Sequence, residues 1–236
     1  MRTARFFVSP EWIARGAQAF SIPAGPMYRQ ITSVLRMKVG DTLSLCANDG
    51  SELECTITEM TKAAILGKIL ATSVGKPLRP HITVCAAVTK RDTFEWTLQK
   101  CTELGAAAFI PLMTERVVKK IKDIPSRWRD VVREASEQSG RMTLPTIGEP
   151  MTLAAAIDHM KSSDRYILHE SLGKVTGLPV VKEMDHLAVF IGPEGGFSDA
   201  EIEKATIAGA KIIQLGSLVL RAETAAVVVT ALARLR

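Results

Sequence analysis

The chain has 236 residues, of which 47% are hydrophobic and 23% charged, and its net charge is +5. That length suits one large domain or two modest ones with a real buried core, which excludes disorder as the main character. No apolar run reaches the roughly 18 residues of a membrane helix, and residues 1–8 lack the apolar stretch and cleavage site of a secretory signal, so a cytoplasmic location is expected.

Residues 5–8, 42–46, 52–58 and 63–71 read as short strands, with Asn48-Asp49-Gly50 as a hairpin turn. Leu53, Cys55 and Ile57 alternate with Glu52, Glu54, Thr56 and Thr58, which puts one face of that strand in a core. The pattern predicts a small β-barrel over residues 1–74. Two prolines in Gly75-Lys76-Pro77-Leu78-Arg79-Pro80 interrupt regular structure, and a boundary is placed there, with a second domain over 75–236.

Beyond it, strands alternate with helices. A β-branched run at 81–88 precedes a helix for which Asp92 and Thr93 are candidate caps; Phe94, Leu98, Cys101 and Leu104 share its apolar face and Gly105 closes it. Residues 107–112 form the next strand, 128–139 an amphipathic helix, and 166–169 and 187–191 two more strands. Such alternation predicts an α/β domain with a mostly parallel sheet. Segment 116–133 carries seven basic residues against two acids, either an attractor for a phosphate backbone or a solvated face.

Cys46, Cys55, Cys85 and Cys101 form no CxxC pair, and His81, His159, His169 and His186 are scattered, so buried reduced thiols and no metal site are expected.

The chemistry concentrates in two loops. An apolar strand runs into Gly192-Pro193-Glu194-Gly195-Gly196-Phe197, and Ser198 with Glu201 then forms a capping box. A strand, a glycine loop and a capped helix commonly hold a ligand at a strand's C-terminal end. The spacing is not GxGxxG and no GK[ST] follows, which argues against dinucleotide and P-loop sites. Glu194 would repel a phosphate but tolerate a neutral or cationic ligand; the alternative is a tight turn that needs glycine only to bend. The strand at 211–215 leads to Gly216-Ser217-Leu218-Val219-Leu220, and Arg221-Ala222-Glu223-Thr224-Ala225 opens a long apolar helix. The leucines can wall an adenine, and the helix can pack in the core or against a second subunit.

These residues resemble a known family. Ile191 to Ser198, Leu215-Gly216 and Leu220-Arg221-Ala222-Glu223-Thr224-Ala225 are similar to the bacterial enzymes that methylate uracil N3 in 16S small-subunit ribosomal RNA, members of the SPOUT class. Val34-Leu35-Arg36-Met37-Lys38-Val39-Gly40-Asp41 resembles the signature of their PUA-like RNA-binding barrel. Lys90, Glu95-Trp96, Gln99 to Gly105 and Glu137 to Arg141 match further segments. Two positions depart: Met27-Tyr28-Arg29-Gln30 stands where relatives often carry histidines, and Leu218 where an arginine is common.

The resemblance implies a C-terminal trefoil knot, a homodimer, and S-adenosylmethionine as cofactor. It implies that the first loop binds it through Ile191, Gly192, Pro193, Glu194 and Gly195, and the second through Leu215, Gly216, Leu218, Leu220 and Arg221. Thr224, Ala225 and His169 complete that set. For a uracil target, Arg221 is the candidate to stabilise the anion left when N3 loses its proton. Glu194 or Glu223 could take that proton in a dry site; the alternative is that both hold loop amides and Arg221. Arg5, Arg29, Arg36 and Lys38, with Arg116, Lys119 and Lys120, are candidate phosphate contacts on small-subunit ribosomal RNA or the assembled subunit. A ribose 2′-O-methyltransferase of the same class and a non-catalytic ribosome-assembly factor remain open alternatives.

Overall fold

A computed structural model of the chain describes residues 3–117, 120–170, 178 and 184–235. The chain divides into two compact units, Met1–Pro77 with Ser136–Leu144, and Leu78–Ala135 with Pro145–Arg236.

The first unit is built on strands β1 (Ala4–Phe7), β2 (Ile13–Ala14), β3 (Ala19–Pro23), β4 (Thr42–Cys46), β5 (Ser51–Met60) and β6 (Ala64–Val74), with a short helix α1 (Pro26–Arg29). They pair in the order β1-β4-β5-β6-β3-β2, with β1 parallel to β4 and every other pair antiparallel. The predicted alternation in β5 is present, with Leu53, Cys55 and Ile57 buried. Asn48 and Gly50 adopt positive φ in the β4–β5 turn, at 60° and 84°, which Asn and Gly tolerate best. The predicted barrel is a sheet whose ladder has two ends, β1 and β2, among the described residues. Residues 136–144 complete this unit: the Glu137 carboxylate accepts from the Phe7 N–H at 3.0 Å, and Asn48 Oδ1 from the Leu144 N–H at 2.7 Å.

The second unit contains β7 (His81–Ala87), α2 (Arg91–Glu103), β8 (Ala108–Leu112), α3 (Ser126–Ser139, whose last turn belongs to the first unit), β9 (Thr146–Ile147), α4 (Leu153–His159), β10 (Asp164–Leu168), β11 (His186–Ile191), α5 (Asp199–Ile207), β12 (Lys211–Ile213) and α6 (Ala222–Leu235). The sheet order is β12-β10-β11-β7-β8-β9, and all its pairs are parallel. Alternate β7 residues face two cores: Ile82, Val84 and Ala86 meet α2, α3 and α6, while Cys85 and Ala87 join α4 and α5. Helices on both faces explain why these strands read as continuous apolar runs.

Helix α2 starts earlier than the sequence predicted. Its N-cap is Lys90, so Asp92 sits in the first turn, where a carboxylate favours the helix dipole without capping it. Likewise α3 begins at Ser126, β12 ends at Ile213, and β2, β3, β9, α1 and α4 were not anticipated. All four cysteines are free and buried; burial pushes the thiols up, to about 11 for Cys46 and about 12 for Cys55 and Cys101.

Arg234 fastens α6 to the rest of this unit. Its guanidinium donates to the carbonyls of Arg79, Pro80 and Gly105 at 2.7, 3.1 and 2.7 Å. Gly105 has φ +92° and lies so close that a Cβ there would stand 2.8 Å from Arg234 Nε. Arg234→Ala leaves three carbonyls without their charged donor and is expected to lower stability by about 3 kcal/mol, read as the shift of a chemical denaturation midpoint.

Candidate active site

In a parallel sheet, every strand delivers its C-terminal end to the same edge, and ligands collect where loops part there. Three neighbouring strands do so here: β10 leads to His169, β11 to Gly192 and β12 to Gln214. The His169 N–H continues the ladder to the Ile213 carbonyl at 3.1 Å. The loops enclose a cavity of about 290 Å³, lined by residues 168–170, 191–197, 213–215, 218–222, Ala225 and Arg116.

The first loop is shaped by its glycines. Its turn closes through the Gly196 N–H to the Pro193 carbonyl at 2.8 Å. Gly196 has φ +68°, and a Cβ there would meet nothing within 4 Å, so its bare backbone borders open space. A Cβ at Gly192 would come within 3.2–3.3 Å of the Gly196 backbone and the Phe197 ring. Phe197 is buried against α5 and anchors the loop's far end.

The predicted capping box is present and reaches further than a cap. Ser198 Oγ accepts from the Glu201 N–H at 3.2 Å, and Glu201 Oε2 accepts from the Ser198 N–H at 2.9 Å. The other oxygen, Oε1, accepts from the Glu115 N–H at 3.1 Å, so one carboxylate joins the glycine loop to the segment after β8. Next to Glu115, Arg116 lies over the glycine loop, and its Nη1 donates to the Gly195 carbonyl at 2.7 Å.

The second loop presents apolar surface. Leu218 and Val219 are 79% and 74% exposed beside the cavity, and Leu220 is half-buried. Arg221 is exposed at the cavity wall; its carbonyl accepts from the Ala225 N–H at 2.8 Å and so opens α6.

Of the residues singled out in the sequence, the fold gathers His169, Ile191, Gly192, Pro193, Glu194, Gly195, Leu215, Leu218, Leu220, Arg221 and Ala225 around this cavity. Gly216, Glu223 and Thr224 are not among its lining residues. Glu194 is exposed and Glu223 half-buried. Sequence reasoning missed Arg116 as a member of this wall, having read it as a candidate phosphate contact at the start of a basic run. The available signal was its position four residues after a parallel strand's C-terminal end, at the edge that carries the site.

The remaining basic candidates are not among the cavity's lining residues. In the first unit Arg29, Arg36 and Lys38 are exposed on one segment, and Arg36 holds a left-handed φ of 54°. Arg5 is only 15% exposed in its side chain and bonds the Glu52 carboxylate at 2.5 Å, so its charge is already engaged. In the second unit Lys120 is exposed, and Lys119 lies outside the described residues. Among the described residues no cluster of His, Cys, Asp and Glu could hold a metal ion, and no helix is long and apolar enough to cross a membrane.

Comparison with known proteins gives this geometry a family. A model described as an RNA methyltransferase domain matches residues 76–234, and one described as an RNA methyltransferase PUA domain matches residues 31–70. The chain is 30% identical to the ribosomal RNA small subunit methyltransferase E of Bacillus subtilis, over 89% of this chain and 87% of that one. It is also 30% identical to the protein of the same name from Synechocystis, over 96% and 76% of the two chains. Among solved structures it is similar to that of ribosomal RNA small subunit methyltransferase E from Neisseria gonorrhoeae bound to S-adenosyl methionine. The TM-score is 0.88 at 26% identity, covering 98% of this chain and 96% of that one. The chain belongs to the RNA methyltransferase family of these relatives, with a PUA domain followed by a SPOUT-like α/β domain.

Glu201→Ala removes both carboxylate bonds while leaving Ser198 as a cap. It is expected to destabilise the second unit by about 1–2 kcal/mol. An unchanged denaturation midpoint would show that the carboxylate does not hold the two loops.

Proposed function

We propose that this member of the RNA methyltransferase family transfers a methyl group from S-adenosylmethionine to N3 of a specific uracil in 16S small-subunit ribosomal RNA. The observation that carries the reading is the meeting of the glycine loop and the apolar second loop at the ends of three parallel strands. It is supported by relatives named as small-subunit ribosomal RNA methyltransferases and by a similar structure bound to S-adenosyl methionine.

The residues present fit the cofactor. Leu168, Ile213, Leu215 and Leu220 offer apolar surface to an adenine, and the bare backbone at Gly196 allows close approach. Glu170 and Glu194 bring negative charge to the cavity, which suits a cationic ligand and opposes a phosphate. Bound there, S-adenosylmethionine supplies a methyl group made electrophilic by its sulfonium.

The chain's own residues must then prepare the uracil. N3 carries a proton and attacks poorly until it leaves, so the site has to spread the resulting negative charge over a ring carbonyl. Arg221 is exposed at the cavity wall, and its guanidinium serves as that donor. Of the two glutamates, Glu194 lines the cavity and is the candidate to accept the proton, while Glu223 stands off the lining.

RNA is held by phosphate contacts from Arg29, Arg36 and Lys38 on the PUA domain and from Arg116, Lys119 and Lys120 on the α/β domain. Closure of the PUA sheet into a barrel, a C-terminal trefoil knot and a homodimer complete the proposal. In keeping with a dimer, α6 leaves Val227, Val228 and Leu232 only partly buried and Leu235 79% exposed. Four buried free thiols accord with work in the reducing cytoplasm.

Comparing nucleosides of small-subunit RNA from cells with and without the gene tests the reading. Loss of one 3-methyluridine is expected; loss of a ribose methyl would favour the 2′-O alternative, and an unchanged profile would reject both. Arg221→Ala is expected to lower kcat about 100- to 1,000-fold at saturating S-adenosylmethionine. Full turnover at saturating RNA would remove Arg221 from the mechanism.

A further inference from the structure

We infer that Arg116 is a positioning residue that bridges the glycine loop and a backbone phosphate next to the target nucleotide, coupling RNA binding to cofactor binding. This rests on the function proposed above and adds a physical link between its two substrates.

The guanidinium is held in place before any ligand arrives. Nη1 donates to the Gly195 carbonyl at 2.7 Å, and the side chain lies flat on that glycine, with Cβ and Cδ 3.6 and 3.5 Å from where a Cβ at position 195 would stand. Its backbone is fixed as well, since the neighbouring Glu115 N–H is bound by Glu201, the residue that caps α5. Much of the side-chain entropy normally lost on ligand binding is therefore already lost.

One bond leaves most of the donor fork unused. A guanidinium carries five N–H groups, and among the described residues Nε and Nη2 of Arg116 make no bond while the side chain remains exposed. A planar fork with two donors free matches two oxygens of a phosphate. A phosphate is favoured over the cofactor's carboxylate by position. Arg116 enters from beyond β8, two strands away from β11 in the sheet, and it begins the basic segment that continues through Lys120 and Lys122. The apolar walls that suit an adenosyl group come instead from the ends of β10 and β12.

A phosphate on the free edge tightens Arg116, Arg116 tightens the turn from Pro193 to Gly196, and that turn borders the cofactor cavity. By linkage the two ligands then favour each other equally.

Calorimetric titration of S-adenosylmethionine, with and without a transcript of the target segment of small-subunit RNA, tests this. The wild-type protein is expected to bind the cofactor about 5- to 10-fold more tightly when RNA is present. R116A is expected to lose the tightening and to lower the salt slope of RNA binding by about one. R116K restores that slope but not the coupling, because a single ammonium does not span carbonyl and phosphate in a fixed fork. Thermal melts of both variants check that they fold. Coupling that survives in R116A overturns the inference. So does a variant with weakened RNA-free cofactor binding and an unchanged RNA salt slope, which would make Arg116 a prop for the loop alone. A wild-type protein that binds neither ligand would instead overturn the proposed function.

Discussion

The site depends on β11 being buried on both faces. Leu187 to Ile191 are at most 2% exposed, packed between two helical layers and hydrogen-bonded to β10 and β7 on either side. A strand held so completely does not shift its register, because a one-residue slip would exchange every side chain between two filled cores. Its end at Ile191 is thus fixed in space, and the chain must turn immediately at the sheet's edge. Gly192 makes the turn because a Cβ would press on Gly196 and Phe197, and Gly196 completes it in the left-handed region. Backbone groups are left facing a cavity, as a ligand that binds through close approach requires.

Around that fixed edge the cavity lining carries charges of both signs. Glu170 and Glu194 share the cavity lining with Arg116 and Arg221. A reaction joining a sulfonium to a developing anion needs both signs, each near a different partner, and a cavity of one sign would repel one of them. Glu201 takes no part in this charge pattern but keeps its geometry, since its carboxylate binds the start of α5 and the segment that carries Arg116. A feature read in the sequence as a helix cap is also the brace between two site loops.

The elements legible in the sequence were those with strong local causes. The period-2 pattern of β5, the apolar run of β11 and the Ser198–Glu201 box each declare themselves within a few residues. Short elements escaped: β2, β9 and α1 span two, two and four residues, too few for any period to emerge. The start of α2 was misplaced because Asp92 favours a helix start, whereas the chain already turns helical after Lys90, following β7. The return of 136–144 to the first unit had no local sign, for its bonds, such as Glu137 to Phe7 and Asn48 to Leu144, join residues 130 and 96 positions apart.

The sequence by itself determined the two loops: glycines where the backbone must turn sharply, and leucines followed by an arginine where an apolar wall meets a helix start. Those requirements are local, so residue type and spacing express them. Only the tertiary structure decided which residues face one another. It brought Arg116 to Gly195 across 79 positions, engaged Arg5 with Glu52, and left Glu223 off the cavity although it is two residues from Arg221. The physical reason is that parallel strands order themselves by packing rather than by sequence. With β8 separated from β11 only by β7, segments far apart in the chain end at the same edge.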